Sequence, residues 1–165
     1  MGLDGKKSAY DADFFTWTQD QAKALRALTP AQVGNQVDLV HIAEEIEDLG
    51  KTEVRVVESQ LIRLFEHLLK LTHMPNSDAR NHWLGEASAF QAQAAIAFKP
   101  SMAQAVDLER AWKLGRRNAL GFLKEQGIRA DPPKTCPFDL ETVISDEFEP
   151  EKVLATLAQA HLPPR

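Results

Sequence analysis

Four side chains that could bind a metal ion or transfer protons lie within the segment NQVDLVHIAEEIEDLG. They are Asp38, His41, Glu45 and Asp48, at successive spacings of three, four and three residues. Residues three or four apart in a helix are neighbours on its surface, so one side of one helix carries all four. Carboxylate oxygens and imidazole nitrogens are common ligands of divalent metals. These four residues are therefore the candidate metal ligands of the chain.

The same residues also fit a solvated acidic face. Carboxylate sites in helical bundles take ligands from facing helices, often as Glu-x-x-His, and Asp38-x-x-His41 is the related pair here. Ligands from a second helix would have to be Asp78 and His82, or residues of the first helix. Without them, Glu47 can pair with a lysine one turn later, and the carboxylates favour the helix N-terminus. Both interpretations stay open.

A second polar series follows the same helix at a spacing of seven residues. Leu39, Ile46, Glu53, Gln60 and His67 occupy one heptad position that changes from apolar to polar. If the polar members are buried, each needs a partner on another helix. They then either fix the register of packing or, with Glu53 and His67 as acid and base, line a reactive cavity. The candidate polar site consists of Glu45, Glu53, Gln60 and His67.

The helix that carries both series is the spine of the predicted fold. It is expected from about Asp38 to Leu71, with its apolar arc centred on Ile46 and with Ile42 and Leu49 inside that arc. Its second half has apolar residues outside the arc as well, so either helices pack on two sides or a patch stays exposed for an oligomer interface. Those additional residues are Val54, Ile62, Phe65 and Leu69.

Three further long helices are predicted from apolar periodicity, and no segment shows sustained strand-like alternation. The fold class is all-α, an up-and-down bundle over about residues 11–127 with a short-helix tail over about 128–165. Ser101 and Gln104 form a capping box that predicts the start of the fourth helix, and Gly127 is placed to end it. Gly50 marks either a bend or a close helix contact, and Gly115 is small enough to let another helix approach closely. The whole chain of 165 residues is expected to be a single domain.

Composition excludes several classes of protein. The net charge of −5 disfavours nucleic acid or an anionic membrane as the main partner, and no apolar run is long enough to span a bilayer. The N-terminal residues contain no secretory signal, and the single cysteine, Cys136, fits a reducing cytoplasm. We expect Cys136 to be a buried structural thiol. Phosphate-binding loops, paired cysteines and the common hydrolase motifs are absent from the sequence.

A series of short blocks gives the chain a family resemblance. The strongest are Ala43–Gly50 (AEEIEDLG) and His67–Lys70 (HLLK). The others are Tyr10-Asp11, Asp13-Phe14, Trp17, Gln21-Ala22, Trp83, Cys136-Pro137-Phe138, Phe148 and Pro150. In these blocks the chain resembles the uncharacterised bacterial family catalogued as domain of unknown function 29. It departs from that family in having only Arg80 before Trp83, and in having Phe138 where tyrosine is frequent. The resemblance implies an α-helical, cytoplasmic bacterial protein and carries no activity.

Two functions are compatible with these patterns. The first is a cytoplasmic helical interaction or scaffold protein without a cofactor, acting as a homodimer or through a partner protein. The alternative is a carboxylate–histidine bundle that binds a divalent metal for hydrolysis or redox chemistry.

Overall fold

Every regular element of the structure is helical. The computed structural model describes residues 8–160, and within that range it contains eight α-helices, one short 3₁₀ helix and no strand. This confirms the predicted all-α class with four long helices. No helix in residues 8–160 is both long enough and apolar enough to cross a membrane. The helices are α1 (Ala9–Ala12), α2 (Phe14–Ala27), α3 (Pro30–Val33), α4 (Leu39–His73), α5 (Arg80–Ala97), the 3₁₀ helix (Pro100–Met102), α6 (Leu108–Glu125), α7 (Leu140–Ile144) and α8 (Pro150–Ala160).

Local chemistry explains where the long helices begin and end. The carboxylate of Asp13 accepts a hydrogen bond from the backbone N–H of Thr16 and so caps α2. The capping box predicted at Ser101 is wrong, because residues 100–102 form the 3₁₀ helix and α6 begins only after Asp107, whose carboxylate caps it. Gly127 ends α6 as predicted, with a φ of +74° that favours glycine.

Over residues 8–160 the chain divides into two compact units, one of residues 8–55 and 99–105, the other of residues 56–98 and 106–160. Helix α4 contributes its first half to one unit and its second half to the other. The expectation of a single domain over the whole chain stays a prediction.

The first unit is held together by a close approach of α2 to α4. A Cβ atom added at Gly50 would lie 2.1 Å from Oγ1 of Thr18, so only glycine fits at this contact. Thr18 is fully buried and its hydroxyl donates to the carbonyl of Phe15 at 2.7 Å. Ala22 and Ala43 are fully buried as well. Small side chains therefore form the centre of this unit.

The second unit has a large aromatic and aliphatic core. The ring of Phe65 lies 5.2 Å from that of Trp112 and 6.3 Å from that of Phe138, measured between centroids. A Cβ atom at Gly115 would lie 2.7 Å from the carbonyl oxygen of Ile62, which brings α6 and α4 close together as predicted. Burying a leucine or phenylalanine side chain stabilises the fold by about 1.5–3 kcal/mol. The fully buried large side chains that α4 contributes to this unit are Leu61, Leu64, Phe65, Leu68 and Leu69.

The predicted C-terminal tail packs on the long helices of the second unit. The indole N–H of Trp112 donates to the carbonyl of Pro133 at 2.9 Å. The amide of Gln91, on α5, donates to the carbonyl of Ser145 at 2.8 Å. Val143 on α7 and Leu157 on α8 are buried. Apolar packing and buried hydrogen bonds thus both hold the tail in place.

Candidate functional site

Three of the four predicted metal ligands are held in two separate, exposed pairs. Nδ1 of His41 lies 2.6 Å from a carboxylate oxygen of Asp38, and Nζ of Lys51 lies 2.8 Å from one of Asp48. Glu45 is exposed and makes no ion pair with the described residues. No group of three or more histidine, cysteine, aspartate or glutamate side chains within residues 8–160 is arranged to hold a metal ion. No observation therefore favours the metal interpretation.

The Asp38–His41 pair has the electrostatics of an isolated surface ion pair. The hydrogen bond from His41 holds the pKa of the Asp38 carboxyl below its usual value. The same hydrogen bond, followed by the charges of Asp38 and Glu44, raises the pKa of His41. Their side chains are 62% and 74% exposed, so water screens the interaction. The pair is local and closes no cavity.

The heptad series of polar residues changes its environment along the helix. Glu53 is half-buried and forms no ion pair with the described residues. Gln60 is half-buried, and its Oε1 atom is enclosed without a hydrogen-bond partner among the described residues. His67 alone is buried and fully bonded, with Nδ1 2.8 Å from the carbonyl oxygen of Arg63 and Nε2 3.0 Å from a carboxylate oxygen of Glu86. The four residues of the predicted polar site therefore do not form one cluster.

Glu86 on α5 is the partner that the sequence did not identify. Its carboxylate oxygen lies 3.0 Å from Nε2 of His67 on α4 and 3.3 Å from Nε2 of His82, one turn earlier on its own helix. Both ring nitrogens of His67 thus lie within hydrogen-bond distance of an oxygen atom, one on its own helix and one on α5. The ring of Phe90 packs 5.2 Å from that of His67. The His82-x-x-x-Glu86 spacing was the available signal, because it places both side chains on one face of α5.

A second internal charge pair lies one turn further along α4. The ammonium group of Lys70 is buried, bonds to the carboxylate of Glu66 and lies 4.5 Å from the ring centroid of Phe122. The amide of Asn118 donates to the other oxygen of Glu66 at 3.3 Å. The ion pair, a hydrogen bond and a cation–π contact together compensate for the removal of the lysine charge from water. Like His67, this lysine joins helices.

The first half of α4 leaves an apolar and acidic face open to solvent. Ile42 is 40% exposed and Leu49, one heptad later, is 52% exposed, with half-buried Ile46 between them. The predicted centre of the apolar arc at Ile46 is wrong here, because the buried line consists of Ala43, Gly50 and Val54. At 100° per residue, Ile42 and Leu49 lie about 100° to 120° from that line. We call the face formed by Ile42, Glu45, Ile46, Leu49 and Glu53 the acidic seam.

An apolar groove of about 450 Å³ lies near the N-terminal end of α4. It is bordered by the end of α2 and by the segment between α3 and α4. Arg26 and Asp38 are its charged residues. Its apolar lining consists of Leu25, Leu28, Pro30, Val37, Leu39 and Val40. A neighbouring hollow of about 340 Å³ is polar, and its ion pairs join Glu47 to Arg26 and to Lys51. The groove can accept an apolar side chain, whereas the hollow is occupied by internal charge pairs.

Cys136 has the chemistry of a structural thiol. Burial raises its pKa to about 11, so the thiol stays protonated near neutral pH and is a poor nucleophile. Its backbone N–H donates to both carboxylate oxygens of Glu109 at 3.1 Å. This residue helps to attach the connector after α6 to α6 itself.

Comparison with known proteins gives a consistent result. The sequence profile of the family described as domain of unknown function DUF29 matches residues 9–149. Among solved structures, the chain is similar to an α-helical protein of unknown function from Rhodospirillum rubrum. The two are 27% identical with a TM-score of 0.80, over 92% of this chain and 99% of that one. Comparison with curated proteins found no match.

Proposed function

The chain belongs to the family described as domain of unknown function DUF29, and we propose that it is a helical interaction protein that binds another protein chain through the acidic seam of α4. We place this role in the cytoplasm of a bacterium. A sole cysteine, with no intramolecular disulfide, fits a reducing compartment, and the structural relative is bacterial.

The observation that carries the proposal is the exposure of large apolar side chains in a helix-pairing pattern. Ile42, Ile46 and Leu49 follow the spacing of four and three residues by which one helix packs against another. Two of the three are at least 40% exposed, whereas the second half of the same helix buries five large apolar side chains completely. A partner helix laid on this face would remove them from water and gain about 25 cal/mol for each Å² of apolar surface covered.

The apolar groove supports the same proposal. It lies at the N-terminal end of the helix that carries the seam, and it shares Leu39 with the heptad row of Ile46 and Glu53. Interfaces are usually anchored by one or two large side chains in a pocket, surrounded by contacts that contribute less. A partner chain that follows the seam toward the start of α4 can place such an anchor in the groove.

Site-specific photo-crosslinking in cells tests the proposal. A benzophenone amino acid is introduced at position 49, in the seam, and at position 96 as the control, because Ile96 is 78% exposed but lies on α5. We expect a discrete covalent adduct from position 49 that disappears when Ile42→Gln is added, and no such adduct from position 96. Mass spectrometry then identifies the adduct as a second copy or another protein. Equal adducts from both positions, or none from position 49, would refute the proposed function.

A further inference from the structure

We infer that the segment bound by the acidic seam is a cationic amphipathic helix of another protein, and this inference rests on the proposed use of the seam. The negative charge of the chain is concentrated in the stretch of α4 that carries the seam. The whole chain has 24 acidic and 19 basic residues, a net charge of −5. Residues 38–53 contain six of the acidic residues (Asp38, Glu44, Glu45, Glu47, Asp48 and Glu53) and one basic residue, Lys51, so this one stretch also has a net charge of −5. The remaining 18 acidic and 18 basic residues balance.

The chain itself neutralises only some of these carboxylates. Asp48 and Glu47 are paired with Lys51, and Asp38 is paired with His41. Glu45 and Glu53 make no ion pair within the described residues. On the helical wheel they lie about 40° to either side of Leu49, so they border the exposed apolar residues directly. Glu44 also makes no ion pair within the described residues, but it lies about 140° from Leu49, on another side of the helix. Two of the three carboxylates left without a counter-ion in this stretch thus belong to the seam.

A second copy of the chain fits this face poorly. In a parallel pairing along the heptad row, Glu53 of one copy would face Glu53 of the other, and like charges at such positions oppose association. In an antiparallel pairing, every charged residue within the seam is still acidic. The nearest basic residues of this half, Lys51 and Arg55, lie on other sides of the helix, about 160° and 120° from Leu49. Apolar attraction between two seams would therefore be opposed by charge.

A helix with leucine-type residues at spacings of three and four, and with lysine or arginine on both flanks, fits both properties of the seam. Its apolar residues would cover Ile42 and Leu49, while its cations would pair with Glu45 and Glu53. Charge pairs at the edge of such an interface increase the association rate and the selectivity, and they weaken as salt is added. The inference therefore predicts binding that depends on both an apolar and an ionic contribution.

Two synthetic peptides test this inference with the full-length protein. Each is about 20 residues long with the same leucine positions, and the flanks are lysine in one and glutamate in the other. In fluorescence anisotropy we expect the lysine peptide to bind at least about tenfold more tightly than the glutamate peptide, and to lose affinity between about 0.05 M and 0.5 M salt. Leu49→Gln should weaken its binding about tenfold, whereas Ile96→Gln should leave it unchanged.

A charge-reversal experiment separates recognition by the seam from general attraction to an acidic protein. The double variant Glu45→Lys, Glu53→Lys should come to prefer the glutamate peptide. The matched double variant Glu125→Lys, Glu147→Lys makes the same change in net charge at exposed positions elsewhere and should keep the preference for lysine. Circular dichroism and thermal melting verify that each variant is folded. Equal reversal by both double variants would overturn the inference.

The remaining outcomes distinguish this inference from the proposed function. If both peptides bind equally and Leu49→Gln weakens both, the seam is an interaction surface but its partner is not cationic. If light scattering shows a dimer that Leu49→Gln dissociates, the occupant is a second copy, which overturns the inference and leaves the interaction role intact. Failure of the lysine peptide to bind overturns the inference, while the crosslinks from position 49 decide the proposed function independently.

Discussion

The two halves of α4 share a heptad pattern but differ in which of its side chains are buried. In the first half, up to Arg55, two of the three large apolar residues of the seam are exposed and its glutamates are unpaired, while small residues are buried. In the second half, from Val56, five large apolar residues are fully buried, and His67 and Lys70 are buried with acidic partners. One continuous helix therefore has an apolar face exposed to solvent in its first half and buried apolar side chains in its second half.

The difference shows what decides the environment of a polar residue in a helix. Glu53 and His67 occupy the same heptad position, two repeats apart, yet only His67 has a partner on a neighbouring helix. A buried polar group is tolerated where its hydrogen bonds are made within the protein. Where the fold supplies no partner, the group stays near water and is available to another molecule. The contrast thus separates stabilising polar groups from candidate recognition groups.

Truncation of one leucine in each half should give the largest difference. Leu68→Ala removes a fully buried side chain and should lower the free energy of unfolding by about 2–5 kcal/mol. Leu49→Ala shortens a side chain that is 52% exposed and should change the free energy of unfolding by less than about 1 kcal/mol. Chemical denaturation followed by circular dichroism measures both. Equal losses would mean that the first half is as tightly packed as the second.

Removal of the buried imidazole should be the next largest effect. His67→Ala takes away two hydrogen bonds, one of them to the carboxylate of Glu86, and should cost about 1.5–3 kcal/mol of unfolding free energy. His82→Ala is the matched control, because His82 contacts the same carboxylate but its side chain is 72% exposed; it should cost less than about 0.5 kcal/mol. If the two variants melt alike, the contact between α4 and α5 at Glu86 does not stabilise the fold.

Two glycines of α6 test how closely the second half of α4 is packed. Alanine at Gly115 would place its Cβ 2.8 Å from that of Phe65 and 2.7 Å from the carbonyl oxygen of Ile62, so α6 must shift. Overpacking of this kind costs about 1–3 kcal/mol, partly offset by about 1 kcal/mol from the better helix propensity of alanine.

Gly121 on the same helix provides the control, since a Cβ there meets no atom within 4 Å. Gly121→Ala should therefore raise the free energy of unfolding by about 0.5–1 kcal/mol. Opposite signs for the two substitutions in thermal denaturation would confirm the close contact. A stabilising Gly115→Ala would show that the contact relaxes without cost.

The sequence was sufficient for those parts of the fold that local chemistry determines. Gly127 and the apolar periodicity predicted the long helices, and the small size of Gly115 correctly indicated a close helix contact. The fourth helix was the exception. The capping box predicted its start at Ser101, whereas the structure has a 3₁₀ helix at Pro100–Met102 and starts α6 at Leu108, after the capping carboxylate of Asp107. Helix boundaries are the part of a fold that local sequence signals predict least well.

The candidate site was less predictable because it depends on which side of α4 is covered. Hydrophobicity alone placed Ile46 at the centre of the buried arc. The close approach of α2 at Gly50 instead requires small residues, and this turns Ile42 and Leu49 toward solvent. The heptad position of His67 predicted that this side chain needs a partner on another helix. The sequence did not identify Glu86 as that partner, because the two residues are 19 positions apart and lie on different helices. Tertiary packing decided both points.

The smallest expected effect concerns the pair of Asp38 and His41, and it tests whether polar contacts in the first half of α4 are purely local. Because the pKa of His41 is raised in the folded state, protonated His41 stabilises the fold. This stabilisation is fully present below the usual histidine pKa of 6.5 and is lost as the pH rises through the raised pKa of the folded state. Because the pKa of Asp38 is lowered, ionised Asp38 also stabilises the fold. This stabilisation is present above the usual aspartate pKa of 3.8 and is lost as the pH falls through the lowered pKa of the folded state.

Because both side chains are exposed, Asp38→Asn should leave the melting temperature nearly unchanged while returning the pKa of His41 toward 6.5 in an NMR titration. Glu45→Gln, which removes a weaker and more distant charge, should lower the same pKa by less. A large loss of stability in Asp38→Asn would show that this pair stabilises the fold as the His67–Glu86 pair does, and the contrast between the two halves of α4 would no longer hold for their polar groups. An unchanged pKa with unchanged stability would mean instead that the pair does not form in solution, which would leave Asp38 as a further unpaired carboxylate in the first half of α4.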